Sequence, residues 1–235
     1  MTSSELAVVG LGRMSYGEAW EIQKSIAHAR IDGSLKRDVL LLVEHPPVVT
    51  LGRTADTNHV NAPNEFLEAR GIEIFEVERG GDVTFHGPGQ LVGYTIFDLK
   101  EHKRDLHWFL RRIEESIIVA VDGLGLKARR NKEYTGVWIG DRKLASIGIH
   151  VKQWVSWHGF ALNVTTDLSF FDLIVPCGIP NVAMTSLRVE LGERAPADLW
   201  GRSIDQIVLG FCEVFELTPQ MLTLEDMGLT ASQTP

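Results

Sequence analysis

Runs of apolar residues, spaced sometimes every second position and sometimes every third or fourth, set out the elements of this chain. Ser15-x-x-Glu18 has the form of a capping box and predicts a helix running to about Arg30. "DVLLLVEHPPVVTLG" predicts a strand, a break at Pro46–Pro47, and a second short strand before Gly52. "APNEFLEARG" follows as a short helix, with Pro63 in its first turn and Gly71 past its end. "IEIFEVE" is then a strand with Ile72, Ile74 and Val77 among its apolar positions, and "LVGYTIFDL" is another. Leu106, Leu110, Ile113, Ile117 and Val121 fall on one face of a longer helix. "TGVWIGDRKLASIGIHV" reads as a hairpin turning near Gly140–Asp141, and "WVSWHGFALNV" as a further strand. "VPCGIP" is an irregular loop pinned by Pro176 and Pro180. A last helix spans about Ile204–Leu217 and stops before Pro219, leaving "TASQTP" as a tail expected to fray.

Strands outnumber helices and are often neighbours in sequence. That predicts an α+β fold, mixed β-sheets with flanking helices, rather than a regular βαβ wrap. Neither repeats nor a linker divide the chain, so residues 1–235 are read as one domain. Residues from Thr185 onward (about 185–235) are open to reading as a small C-terminal subdomain.

Composition narrows the function. The 235 residues are 44% apolar, enough for a sizeable core. With 31 acidic and 23 basic side chains the net charge is −8, which argues against general nucleic-acid binding. No apolar run has membrane-spanning length; "VLLLV" at Val39–Val43 is the length of a buried strand. The first residues lack the basic-then-apolar order of a signal peptide. The two cysteines, Cys177 and Cys212, make at most one bridge, and a reduced, cytoplasmic setting is the expectation.

Candidate chemistry gathers in a few segments. In "ERGGDVTFHGPGQLVGY", Glu78–Tyr94, four glycines (Gly80, Gly81, Gly87, Gly89) surround His86. So dense a cluster implies backbone that turns sharply or that something approaches closely. Cys177 sits between Pro176 and Gly178, where no periodicity absorbs it, so structural and functional roles both stay open. Cys212 falls in phase with Ile204, Val208 and Phe211, and core packing explains it. A nucleophilic cysteine works as its thiolate and needs a cation or base beside it. His86, His158 and Lys143 are the candidates, although a strand-end lysine is more often simply solvated. Metal-ligand spacings, phosphate loops and a G-x-S-x-G elbow are absent from the sequence, so no metal site is expected. Basic clusters at Lys103–Arg104, Arg111–Arg112 and Lys127–Lys132 are ordinary solvated faces or, on so acidic a chain, docking points for an acidic carrier protein.

Taken together, "RGGDVTFHGPGQLVGY", "RKLASIGIH", "WHGFALNV" and "VPCGI" resemble the signature segments of the lipoyl (octanoyl) transferases. The likeness runs in order from "YGEAW" through "EHPPVVTLGR" to "TSL" and covers most of the chain. It implies the α+β catalytic module shared with lipoate–protein ligases and biotin ligases. It also implies a two-step transfer. Octanoyl would arrive as a thioester on the phosphopantetheine arm of acyl carrier protein and pass to Cys177. From there it would pass to a lysine ε-amine of a lipoyl domain, either on a 2-oxoacid dehydrogenase E2 subunit or on the glycine cleavage H protein. Lys143 completes the implied dyad, holding the thiolate and then taking protons from the incoming amine. Arg79, Gly80, Gly81, Asp82, Val83, Thr84, Phe85 and His86 would line the acyl pocket, Gly80 and Gly81 leaving room for the chain. Amides of Ser146, Ile147, Gly148, Gly159, Phe160 and Ala161 would hold the acyl carbonyl, with His158 as an orienting group. No cofactor is implied, because a thioester is already activated. An ATP-dependent ligase, a cysteine thioesterase and a non-catalytic binding module are the alternatives. The ligase would need an adenylate loop that this sequence lacks.

Overall fold

Strand β1, Glu5–Arg13, begins the computed structural model, which describes residues 4–179 and 182–229. Helix α1, Tyr16–Asp32, follows with the expected capping box: Ser15 Oγ accepts from the Glu18 N–H, and Gly33 ends the helix in the left-handed region at φ 83°. The chain continues through β2 (Asp38–Glu44), β3 (Val48–Leu51), α2 (Asn64–Ala69), β4 (Glu73–Glu76), β5 (Val83–His86) and β6 (Gln90–Ile96). Next come α3 (Leu106–Gly123), β7 (Arg129–Arg130), β8 (Val137–Ile139), β9 (Arg142–Lys152) and β10 (Val155–Asn163). Strand β11 (Ala183–Met184), α4 (Leu187–Leu191), α5 (Leu199–Phe215) and β12 (Thr218–Met221) complete the described elements. The expected positions at Pro180 and in the tail from 230 onward lie outside the described residues.

The large sheet has the order β12-β1-β2-β6-β10-β9-β8-β7, with β11 paired to the start of β9. It is mixed: β1 runs parallel to both β12 and β2, whereas β6, β10 and β9 alternate in direction. Its central strands are buried on both faces. In β2, Leu40 and Leu42 enter one core with α3 and α5, while Val39, Leu41 and Val43 enter the other beneath α1. A strand covered on both sides reads as an unbroken apolar run, as "VLLLV" does. The small sheet β4-β3-β5 packs its own cluster, Val49, Leu67, Val83 and Phe85 among its members, and closes over the large sheet.

Two expectations are corrected, and one strand is placed at a sheet edge. In α3 the buried side chains include Phe109, Ile113, Ile117 and Val121, whereas Leu106 is 44% exposed and Leu110 half-buried. The first turn of that helix stands over a cavity rather than in the core. Helix α5 starts at Leu199, five residues before Ile204, because Asp198 caps it through the Gly201 N–H at 3.0 Å. Ile74 lies on edge strand β4 and is 36% exposed, while Ile72 and Val77 beside it are buried. No helix among the described residues is long and apolar enough to cross a membrane.

Candidate active site

Strand β9 carries the first reactive group. Lys143 lies near its start, where β8, β9 and β11 meet, and is 1% exposed. Room for its stem comes from Gly136 at φ +139°: a Cβ there would stand 2.9 Å from Lys143 Cε. The Lys143 Nζ donates to Cys177 Sγ at 3.1 Å, although 34 residues separate the two in sequence. Ser146 Oγ, three residues along β9, lies 3.7 Å from the same sulfur.

Cys177 occupies the middle of a tight turn, Pro176–Gly178. Its φ of 57° puts a non-glycine residue in the left-handed region, which costs roughly 1–2 kcal/mol. Gly178 follows with φ 65°. The turn closes through Gly178 N–H to Val175 O at 3.0 Å and Ile179 N–H to Pro176 O at 3.1 Å. The half-buried sulfur reaches a cavity of about 410 Å³ that Lys143 and Ser146 also line.

The glycine-rich segment forms the opposite wall. Gly80 N–H donates to Ile149 O at 2.8 Å, laying the loop across the outer edge of β9 beyond the short β8. At Gly148 a Cβ would stand 2.8 Å from Gly80 O, so backbone meets backbone here. Gly80, Gly81, Asp82, Thr84 and His86 all line the cavity. Val83 and Phe85 do not. The two-residue period of β5 turns them into the small core, where Phe85 stacks on Phe170 at 4.7 Å.

Arg79 is a buried cation with uncharged hydrogen-bond partners. Its Nη2 donates to Thr50 O at 2.7 Å and to Thr50 Oγ1 at 2.8 Å, and Nη1 donates to Gly80 O at 3.2 Å. Burial lowers its pKa, and the nearby Tyr16, Cys177 and Asp82 act in the opposite sense. The cavity therefore has a positive wall close to the sulfur.

Aromatic and imidazole rings line the remainder. His86 Nδ1 meets Gln90 Oε1 at 2.7 Å, Gln90 Nε2 donates to Asn163 Oδ1 at 2.9 Å, and Asn163 Nδ2 donates to Thr185 O at 3.0 Å. Since Thr185 N–H in turn donates to Lys143 O at 2.9 Å, this buried relay ties the glycine-rich wall to the strand bearing the lysine. Tyr16 stacks on His86 with centroids 6.0 Å apart, and Tyr94 Oη contacts His45 Nε2 at 2.6 Å. Burial pushes His86 down to about 3 and His45 to about 4, so both are neutral at pH 7. His158, 2% exposed and held at φ 58°, is likewise lowered by burial. Its Nε2 stands 3.5 Å from Glu78 Oε1, which accepts from Trp157 Nε1 at 2.5 Å and Trp20 Nε1 at 3.2 Å. Burial alone would raise the Glu78 carboxyl, but His158 and Trp157 outweigh it and hold it well below the usual carboxylate range.

Ser146, Ile147, Gly148, Gly159, Phe160 and Ala161 all line the cavity. The two segments differ in what their backbone can do. Strand β10 is paired on both sides, so its 159–161 amides are committed to ladder bonds and are not free to hold a carbonyl. At Gly159 a Cβ would stand 2.2 Å from Gly93 O, so this glycine serves close strand approach. Beyond β8, by contrast, β9 keeps one edge free of a paired strand. Tyr16, His45 and Thr50 were not singled out in the sequence. The signal lay in "YGEAW" and "EHPPVVTLGR", whose polar residues sit inside apolar surroundings.

Comparison with known proteins identifies the family and the fold. The family described as lipoyl protein ligase A/B catalytic domain matches residues 15–206. An octanoyltransferase of Rubrobacter xylanophilus is 50% identical over 205 residues, covering 86% of this chain and 90% of that protein. One of Solibacter usitatus is 50% identical over 191 residues, 78% of this chain and 86% of the relative. Among solved structures, one from a study of a bi-partite lipoate protein ligase and its E2 lipoyl domain from Thermoplasma acidophilum superposes with TM-score 0.71 at 16% identity, covering 93% of this chain and 87% of that one. A lipoate-protein ligase A bound with ATP gives TM-score 0.70 at 17% identity, covering 95% and 89%. At such identities the structural likeness speaks to the fold.

Proposed function

The chain belongs to the lipoyl protein ligase A/B catalytic-domain family and, within it, to the octanoyltransferases, which are acyltransferases; from that premise we propose a covalent two-step transfer through Cys177. The observation that carries the proposal is the 3.1 Å contact between Lys143 Nζ and Cys177 Sγ at the edge of a largely apolar cavity. An ATP-dependent ligase has no need of that pair, because its activated intermediate is an acyl-adenylate.

In the first step the Cys177 thiolate attacks the carbonyl of octanoyl-acyl carrier protein. The new Sγ–C bond forms as the bond to the phosphopantetheine sulfur breaks. The departing thiolate takes a proton from Lys143, leaving acyl-Cys177 and a neutral Lys143 amine. In the second step the ε-amine of a lipoyl-domain lysine attacks the same carbonyl. Its extra proton goes to Lys143, the amide forms, and Cys177 leaves as the thiolate. The enzyme returns to its starting charge state with no ATP, metal or cofactor consumed.

Arg79 supplies a positive field next to the sulfur and the developing oxyanion. Because Ile149 turns its carbonyl outward to Gly80, the two-residue period also turns the Ile147 N–H outward, where it serves as an oxyanion donor. The octanoyl tail lies between Val92, Ala161 and the Gly80–Gly81 loop. Lipoyl domains, as on E2 subunits and the glycine cleavage H protein, accept the group. Of the basic clusters, Lys127, Arg129 and Arg130 pair with Asp122, Asp141 and Glu115, so their charge is largely neutralised locally. The reading includes a cytoplasmic setting for the reaction.

The test is octanoyl transfer to a lipoyl domain with and without ATP. Equal product in both supports the reading, and product only with ATP overturns it in favour of a ligase. Free octanoate without an octanoylated domain would point to a thioesterase.

A further inference from the structure

The turn that presents Cys177 rests on two side chains that the transfer chemistry does not use. His59 Nδ1 meets Asp82 Oδ2 at 2.7 Å. This pair lies directly against Gly178: a Cβ there would stand 2.3 Å from Asp82 Oδ2 and 3.3 Å from His59 Cε1. His59 also anchors the chain entering the turn, since its carbonyl accepts from Val175 N–H at 2.7 Å. The two segments continue side by side through an isolated bridge between Val60 and Ile174. Asp82 is fixed in its turn. Its Oδ1 accepts from Val83 N–H at 2.7 Å and from Asp56 N–H at 3.2 Å. One carboxylate thus joins the cavity wall, the 56–59 segment and the nucleophile turn.

The left-handed backbone at Cys177 persists only if its surroundings hold it there. The turn has two hydrogen bonds of its own, and the surface it rests against at Gly178 is the His59–Asp82 pair. We propose that His59 and Asp82 are positioning residues that hold the Cys177 turn in its left-handed form and so keep the sulfur within reach of Lys143. Asp82 then acts on the nucleophile through His59 and the turn rather than on the acyl chain. The proposal rests on reading Cys177 as the nucleophile.

Alkylation of Cys177 by iodoacetamide, in a Cys212→Ser background so that one thiol reacts, reads the turn without any acyl donor. His59→Ala is expected to slow alkylation and octanoyl loading together by about tenfold, because small misplacement of a reacting group is costly. KM for octanoyl-acyl carrier protein should stay unchanged. His59→Asn, whose amide can donate to Asp82 as Nδ1 does, should restore both rates. Asp82→Asn is the second variant, and reads the same loss if His59→Ala does not fold. Wild-type alkylation and loading in folded His59→Ala or Asp82→Asn would overturn the proposal, as would failure of His59→Asn to restore the rates. Slowed alkylation in a protein whose wild type forms no octanoyl adduct would support the positioning role while removing the transfer mechanism.

Discussion

Two side chains carry the proposed chemistry, and they meet across 34 residues of sequence through a strand and a turn. Lys143 is almost wholly buried, and its Nζ donates to the Cys177 sulfur. A buried lysine is costly to keep in a fold, which points to a role that justifies it. Replacing Lys143 by Ala should lower octanoyl loading by about 10²–10⁴-fold, as loss of a proton-transfer group does. Thermal melting should change little or rise. Loading within a few-fold of wild type, measured by rapid quench, would remove Lys143 from the mechanism. The pairing itself was suggested by "RKLASIGIH" and "VPCGI" as family segments, not by spacing. Sequence distance says nothing about a contact made through a strand and a turn. The His59–Asp82 pair left no comparable mark, because "TADTNHV" is an ordinary loop until the fold lays it under Gly178.

At the scale of elements, the segments most legible in the sequence were those with a local signature. The capping box at Ser15, the turn at Gly140–Asp141 and the break at Pro46–Pro47 each state a conformation within a few residues. Strand β1 was missed because it is buried on both faces: Leu6 and Val8 enter one core and Ala7 and Val9 the other, leaving no alternation to read. Strand β5 was hidden by the glycines that flank it, and β12 by Pro219, which an edge strand tolerates. Gly80 and Gly81 were read as space for an acyl chain and the Gly159 amide as a donor to its carbonyl. Gly159 instead sets the distance between β6 and β10. Gly159→Ala must push β6 and β10 apart at the cavity wall and should destabilise the protein by about 1–3 kcal/mol or more. Urea denaturation gives the answer, and an unchanged midpoint would show that the strands yield without cost.

For the whole molecule, the notable feature is a set of buried imidazoles, two of them, His86 and His158, on the cavity wall. His45, His86 and His158 all have pKa values lowered by burial, to about 4 for His45 and about 3 for His86. His45 and His86 stay neutral when folded but take a proton when unfolded once the pH drops below about 6.5. Stability is therefore complete above that value and is lost as the pH falls toward the folded-state values. At pH 5 the loss is on the order of 1–2 kcal/mol for each of His45 and His86, in a window where most carboxylates remain ionised in both states. Denaturation midpoints at pH 7 and pH 5 should show this fall, and His86→Gln should shrink it. A midpoint independent of pH over that range would mean that these rings are solvated or already charged. An acyl thioester held in this cavity needs water kept from its carbonyl, since water would hydrolyse it.

The central claim is that octanoyl rests covalently on Cys177 between its two carriers. Intact-protein mass spectrometry after mixing with octanoyl-acyl carrier protein, without ATP and beside a Cys177→Ala control, tests it most directly. The expected result is one octanoyl increment on the wild type, absent from Cys177→Ala and discharged when a lipoyl domain is added. An increment that persists in Cys177→Ala, or an octanoylated lipoyl domain made by that variant at the wild-type rate, would contradict it.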